Sequence, residues 1–130
     1  MRVYYQDTDA GGIVYHSRFL DFMERARTEW LRSLGLDLSR LAAERGLMFV
    51  ASSVAIDYLK PARLDDMLAV HAEPEKIART YIDLKQDVYL GSMRLTRGTV
   101  RIACVGTQTL KPSALPREVT SNHHATGSSA

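Results

Sequence analysis

Ser17-Arg18-Phe19-Leu20-Asp21-Phe22-Met23-Glu24-Arg25-Ala26-Arg27-Thr28-Glu29-Trp30-Leu31-Arg32-Ser33-Leu34-Gly35 reads as one amphipathic helix. Phe19, Phe22, Met23, Ala26, Trp30, Leu31 and Leu34 keep helical spacing, which gathers them on a single apolar stripe. Arg18, Asp21, Arg25, Glu29 and Arg32 fill the other side, with Asp21 set to pair with Arg25 and Glu29 with Arg32. Ser17 is the expected N-cap, and Gly35 is the expected stop just past Leu34. A stripe of this kind must be buried against another layer, and the downstream sequence supplies one.

A shorter helix is expected over Leu38–Arg45, capped by Asp37 or Ser39 and closed at Gly46. Beyond it the period changes to two. Val54, Ile56 and Tyr58 alternate with Ala55, Asp57 and Leu59 until Pro61; Leu68, Val70 and Ala72 alternate with Ala69, His71 and Glu73. After a break over 74–79, one strand is expected from Tyr81 to Leu90, then a turn at Gly91-Ser92. In the last strand the apolar positions change parity between Leu95 and Val100, which predicts a bulge near Arg97-Gly98. With a short strand at Arg2–Tyr5, the order is strand, long helix, small helix and four strands joined by short connections. Short connections require mainly antiparallel pairing. The expected class is α+β: an antiparallel sheet of about five strands wrapped around one long helix, forming one domain over 1–120 with a polar, flexible tail over 121–130. His123-His124 in that tail reads as a solvated pair rather than a ligand site.

Upstream of the long helix stands Tyr5-Gln6-Asp7-Thr8-Asp9-Ala10-Gly11-Gly12-Ile13-Val14-Tyr15-His16, which places two carboxylates and a glycine pair at the helix entrance. The first N–H groups of a helix lack partners inside it, and the macrodipole adds partial positive charge there. Such an end suits a carbonyl oxygen that becomes negative, and a nearby Asp can attack or activate water. The pairing points to acyl transfer or hydrolysis without a metal. Asp before Gly-Gly is also an ordinary turn composition, and Asp7 shares the loop with Asp9, so which carboxylate turns inward stays open. His16 can act through its main-chain amide or through a neutral ring, since the positive helix end disfavours imidazolium. Tyr15 is a candidate wall for an acyl group.

The 130 residues carry 17 basic and 15 acidic side chains, a formal charge of +2 scattered along the chain. No basic run suits a nucleic-acid backbone, so nucleic acid is not an expected partner. No apolar stretch approaches the length of a membrane span, so no membrane insertion is expected. Cys104, the one cysteine, lies in the apolar run Val100–Val105 and reads as a buried small hydrophobe rather than a nucleophile. The absence of a disulfide framework suits a reducing, cytoplasmic setting. His71 stands alone between Val70 and Ala72, so no metal site is expected, nor any cofactor.

The segment from Val3 to Phe19 resembles the signature of the hotdog-fold 4-hydroxybenzoyl-CoA thioesterase family. Glu24-Arg25-Ala26-Arg27-Thr28-Glu29, Pro61-Ala62-Arg63-Leu64-Asp65-Asp66, and Lys111-Pro112 with Leu115-Pro116 bring it nearest to the bacterial acyl-CoA thioesterases associated with the Tol-Pal system. The similarity covers roughly Arg2 to Val119 and departs at Val105-Gly106-Thr107-Gln108, where those relatives usually carry an Asp. The resemblance implies hydrolysis of an acyl-CoA or acyl-carrier protein thioester, with Asp9 as nucleophile or general base. It implies further that an amide at or next to His16 polarises the carbonyl, and that Gly12, Val14 and Tyr15 lie along the substrate. Family members are homodimers or homotetramers whose sites lie between subunits. Arg63, Lys85, Arg94, Arg97, Arg101 and Lys111 are the candidates for CoA phosphates. Glu24 and Glu29 read as surface residues, although some hotdog thioesterases carry their carboxylate on this helix. Two rival functions are a hotdog dehydratase of hydroxyacyl thioesters and a non-hydrolytic scaffold for acyl-carrier or envelope proteins.

Overall fold

The computed structural model describes residues 1–9 and 11–121; Ala10, His123 and His124 lie outside the described residues. A long helix α1 (His16–Ser33) and a short α2 (Leu38–Arg45) precede strands β1 (Leu47–Tyr58), β2 (Ala69–Val70), β3 (Glu73–Ile77), β4 (Tyr81–Lys85), β5 (Val88–Leu90) and β6 (Met93–Gly106). All the pairings are antiparallel. Strand β6 is the spine: β1 pairs along one side, while β4 and β5 share the other and carry β3 and β2 beyond them. The sheet curls around α1 in the hotdog arrangement.

Helix α1 buries Phe19 and Phe22 among Val3, Val14, Leu68, Val88 and Leu95, and further along it buries Met23 and Leu31 among Ile82, Leu84, Val100, Ile102 and Cys104. Each such side chain contributes about 1.5–3 kcal/mol when fully buried, so the apolar stripe is what binds helix to sheet. Helix α2 follows the local signals: Asp37 accepts from the Ser39 and Arg40 amides at 3.0 and 3.2 Å, and Gly46 ends it.

Several expectations are corrected. The N-cap of α1 is Tyr15, not Ser17, because the Tyr15 N–H is held by the Asp7 carbonyl at 3.1 Å and the helix starts one residue later. Asp21 pairs with Arg18 at 3.1 Å rather than with Arg25, whereas Glu29 does pair with Arg32. The Arg2–Tyr5 strand reduces to one bridge, Arg2 to Met67, before a 3₁₀ turn over Tyr5–Asp7. Pro74 lies inside edge strand β3, beside an irregularity that tolerates its missing N–H, and the long strand 81–90 breaks at Gln86-Asp87. The ladder between β1 and β6 runs unbroken through Gly98; the parity change falls instead at Leu95, which has no counterpart between the pairs Val88–Thr96 and Tyr89–Arg94. Gly98 is required for another reason. A Cβ there would stand 2.7 Å from the Gln86 carbonyl oxygen and 2.9 Å from Met23 Cε.

Candidate active site

The loop before α1 is organised by its own polar atoms. Asp9 Oδ1 accepts from the amides of Gly11 at 2.8 Å and Ile13 at 3.2 Å, while the Asp9 N–H donates to the Ile13 carbonyl and Gly12 N–H returns to the Asp9 carbonyl. Gly12 adopts φ +77°, a left-handed conformation that glycine takes without a Cβ clash. Asp9 Oδ2 accepts no hydrogen bond among the described residues, so one oxygen orients the carboxylate and the other is unengaged. Asp9 itself is exposed in the single protomer.

Asp7 is built differently. It is 7% exposed, its Oδ2 accepts from the Tyr4 N–H at 3.0 Å, and its Oδ1 faces Arg18 Nε at 3.6 Å. Both oxygens are engaged in holding the turn, which makes Asp7 a structural neighbour of Asp9. The loop is also stitched to the segment after β1: Val14 N–H donates to Ala62, Leu64 N–H donates to Gly12, and Ile13 bridges Arg63.

At the start of α1 the amides of His16 and Ser17 have no acceptor among the described residues, and no side chain caps them. His16 lines a cavity of about 230 Å³ together with Ile13, Val14, Phe19, Tyr58, Leu59, Lys60 and Pro61. The His16 ring stacks on Tyr58 with centroids 3.8 Å apart and planes 8° from parallel, and Tyr58 Oη donates to the His16 carbonyl at 3.1 Å. Burial pushes the Tyr58 phenol up from its ordinary value, so it stays protonated and able to donate. Phe19 meets Tyr58 edge-on at 5.7 Å.

The structure thus brings Val14 and His16 to one cavity, with Gly12 in the adjoining loop. Asp9 and Tyr15 are not in its wall; Tyr15 is 51% exposed. Tyr58 and Lys60 join the cavity from the end of β1. Sequence reasoning passed over both, and the one available signal was that Tyr58 is the last inward-facing residue before Pro61.

Four of the six basic candidates already meet carboxylates: Lys85 and Arg94 with Asp87, Arg97 with Asp57, and Arg101 with Asp83. Arg63 and Lys111 have no carboxylate partner among the described residues. Glu24 lines a separate hollow of about 270 Å³ between α1 and β1 with Arg27, Thr28, Phe49, Ala51 and Ile102. Burial lowers the basicity of Arg27 there, against the opposing charge of Glu24. Cys104 is buried and its thiol is pushed up by that burial, away from nucleophilic character. Among the described residues no three His, Cys, Asp or Glu side chains come together to hold a metal ion, and no helix is long and apolar enough to cross a membrane.

Similarity to known proteins agrees with this geometry. Residues 11–96 match the family described as the thioesterase superfamily. The acyl-CoA thioesterase YbgC of Haemophilus influenzae is 45% identical over 124 residues, which span 95% of this chain and 91% of the relative. The acyl-CoA thioester hydrolase YbgC of Escherichia coli O157:H7 is 41% identical over 120 residues, 92% and 89% of the two chains. The crystal structure of a probable thioesterase from Bartonella henselae superposes with a TM-score of 0.84 at 34% identity, covering 89% of this chain and 95% of that one. With the curled sheet, the Asp9 loop and the open helix start on one scaffold, this chain belongs to the thioesterase superfamily.

Proposed function

We propose that this chain is an acyl-CoA thioesterase, hydrolysing an acyl-CoA to the free acid and the CoA thiol with Asp9 as the reacting carboxylate. The observation that carries the reading is the pairing of an Asp oriented by its own loop with a helix start whose His16 and Ser17 amides have no acceptor among the described residues. The thioester carbonyl oxygen lies against those amides, where developing negative charge is stabilised most. Asp9 Oδ2 then either attacks the carbonyl carbon, forming a mixed anhydride that water cleaves, or takes a proton from the water that attacks. In both routes the C–S bond breaks and the thiolate leaves. Gly12 lets the acyl group approach the main chain, Val14 contributes to the cavity beside it, and Tyr15, exposed in the single protomer, is the candidate wall for the rest of the acyl group. His16 acts through its amide, while its ring stacks on Tyr58.

The site is completed by a second copy of the chain. Strand β1 has 12 residues, pairs only with β6, and leaves its other edge unpaired among the described residues, with Val50 and Val54 exposed at 36% and 46%. An edge this long calls for a strand partner. Antiparallel pairing of two β1 edges joins the sheets and covers Asp9 from the partner's side; the homodimer so formed is the unit from which a homotetramer is built. A single cysteine with a buried thiol suits the cytoplasm.

The test is a panel of acetyl-, hexanoyl-, palmitoyl- and benzoyl-CoA, with the same acyl groups on acyl-carrier protein, read by thiol release. Hydrolysis of acyl-CoA that is lost in Asp9→Asn supports the reading. Binding without turnover of any member would return the chain to a scaffold role.

A further inference from the structure

We propose that Tyr58 is a positioning residue for the carbonyl-binding amides: its hydroxyl, anchored on β1, aims and strengthens the Ser17 N–H by holding the His16 carbonyl. This assignment rests on the reading that the thioester carbonyl lies at the start of α1.

The His16 carbonyl and the Ser17 N–H belong to one planar peptide unit and point to opposite sides of it. A donor that pins the oxygen therefore fixes the direction of the N–H. Tyr58 Oη is that donor, at 3.1 Å. A bond donated to a peptide oxygen also polarises the unit, which makes its N–H a better donor to a developing oxyanion. The Ser17 amide has no acceptor among the described residues, so the gain is available to a substrate.

Tyr58 is held firmly enough to do this. It is the last residue of β1, paired with Thr96, and just beyond it the amides of Leu59 and Lys60 both donate to the Leu95 carbonyl, at 2.8 and 3.1 Å. Its ring is fixed between the His16 stack at 3.8 Å and the Phe19 edge at 5.7 Å. A phenylalanine would keep both ring contacts. What the hydroxyl adds is confined to one peptide unit at the helix start, and packing does not require it. The same stack keeps the His16 ring over β1, so the first residue of the helix is gripped through side chain and main chain together.

The experiment is Tyr58→Phe in the full chain, assayed on the acetyl-, hexanoyl-, palmitoyl- and benzoyl-CoA panel for kcat and KM, with thermal melting alongside. A second readout is the infrared stretch of a ¹³C-labelled thioester carbonyl bound in Asp9→Asn, with and without Tyr58→Phe. Weakening rather than removing one donor predicts a kcat lower by about three- to tenfold. KM stays near the wild-type value, and the bound carbonyl stretch moves back toward its position in water. 3-Fluorotyrosine at position 58, a stronger donor of the same shape, keeps or raises kcat and guards against a folding defect in the phenylalanine variant.

An unchanged kcat in Tyr58→Phe overturns the assignment. So does a raised KM at constant kcat, which would make Tyr58 a cavity wall, or a fluorotyrosine protein slowed as much as the phenylalanine one. If wild type hydrolyses none of the panel, the functional reading falls and this assignment falls with it. If wild type is active and Tyr58→Phe matches it, only the role of Tyr58 is lost.

Discussion

Arg18 Nε stands 3.6 Å from Asp7 Oδ1, so a side chain in the first turn of α1 holds the carboxylate that organises the turn leading to Asp9. The same Arg18 bonds Asp21 at 3.1 Å, which ties the brace to the second turn of the helix. Two carboxylates two residues apart are thereby given different work: Asp7 joins loop to helix, and Asp9 keeps an oxygen unengaged.

That division predicts opposite phenotypes for two conservative variants. Asp7→Asn loses charge-assisted bonding at a buried position and unfolds about 1–3 kcal/mol more easily in urea, with hydrolysis largely kept in the folded fraction. Asp9→Asn keeps the loop bonds, because an amide oxygen still accepts from Gly11 and Ile13, and melts near wild type while kcat falls about 10²- to 10⁴-fold. Reversal of the two outcomes would exchange the roles. Single turnover in heavy-oxygen water, followed by mass analysis of the Asp9 peptide, separates covalent attack from water activation.

Gly98→Ala is expected to be costly although it adds one methyl. The new Cβ meets the Gln86 carbonyl oxygen at 2.7 Å, a backbone atom between β4 and β5 that yields only if the main chain there shifts. Overpacking of this kind costs about 1–3 kcal/mol, measured as a lower urea midpoint at unchanged slope. Wild-type stability in this variant would show that the main chain at Gln86 shifts freely.

The free edge of β1 gives a third prediction. Val54 pairs with Val100 on the inner face yet remains 46% exposed in one protomer. Val54→Lys leaves the protomer folded by circular dichroism, gives a monomer by light scattering and abolishes hydrolysis, because the second copy no longer covers the site. A fully active monomer would remove the dimer from the mechanism.

Acid should weaken two surface contacts. The Asp83 carboxyl is held below the usual carboxylate range chiefly by hydrogen bonds from Arg101, and Glu118 likewise by Arg45. Each folded carboxyl binds its proton less readily than its unfolded counterpart, so its contribution is complete above the unfolded value and lost as pH falls through the lower, folded one. The stability gap between wild type and Asp83→Asn is therefore steady near neutrality and closes below about pH 4. A gap that survives in acid would mean the pair acts by packing of Arg101 on Tyr81 instead.

What could be read along the chain was whatever neighbouring residues enforce on each other. The stripe of α1, the Asp37 cap with the Gly46 stop and the burial of Cys104 depend on a few consecutive side chains, and all appear in the structure; the alternation of β1 appears over Ile56–Tyr58, while Val54 is exposed. Asp9 and His16 were conspicuous for the same reason, since carboxylate, glycine pair and helix entrance are contiguous.

The folded arrangement decided what distant segments settle between them. The helix begins after Tyr15 rather than Ser17 because the Asp7 carbonyl claims the Tyr15 amide, and the bulge lies at Leu95, inside the β5–β6 pairing and just beyond the last pair of β1 with β6, Tyr58–Thr96. Tyr58 reaches His16 across 42 positions of sequence. Local spacing encodes which element forms; register and the meeting of side chains follow from packing those elements together, which no window of neighbouring residues contains.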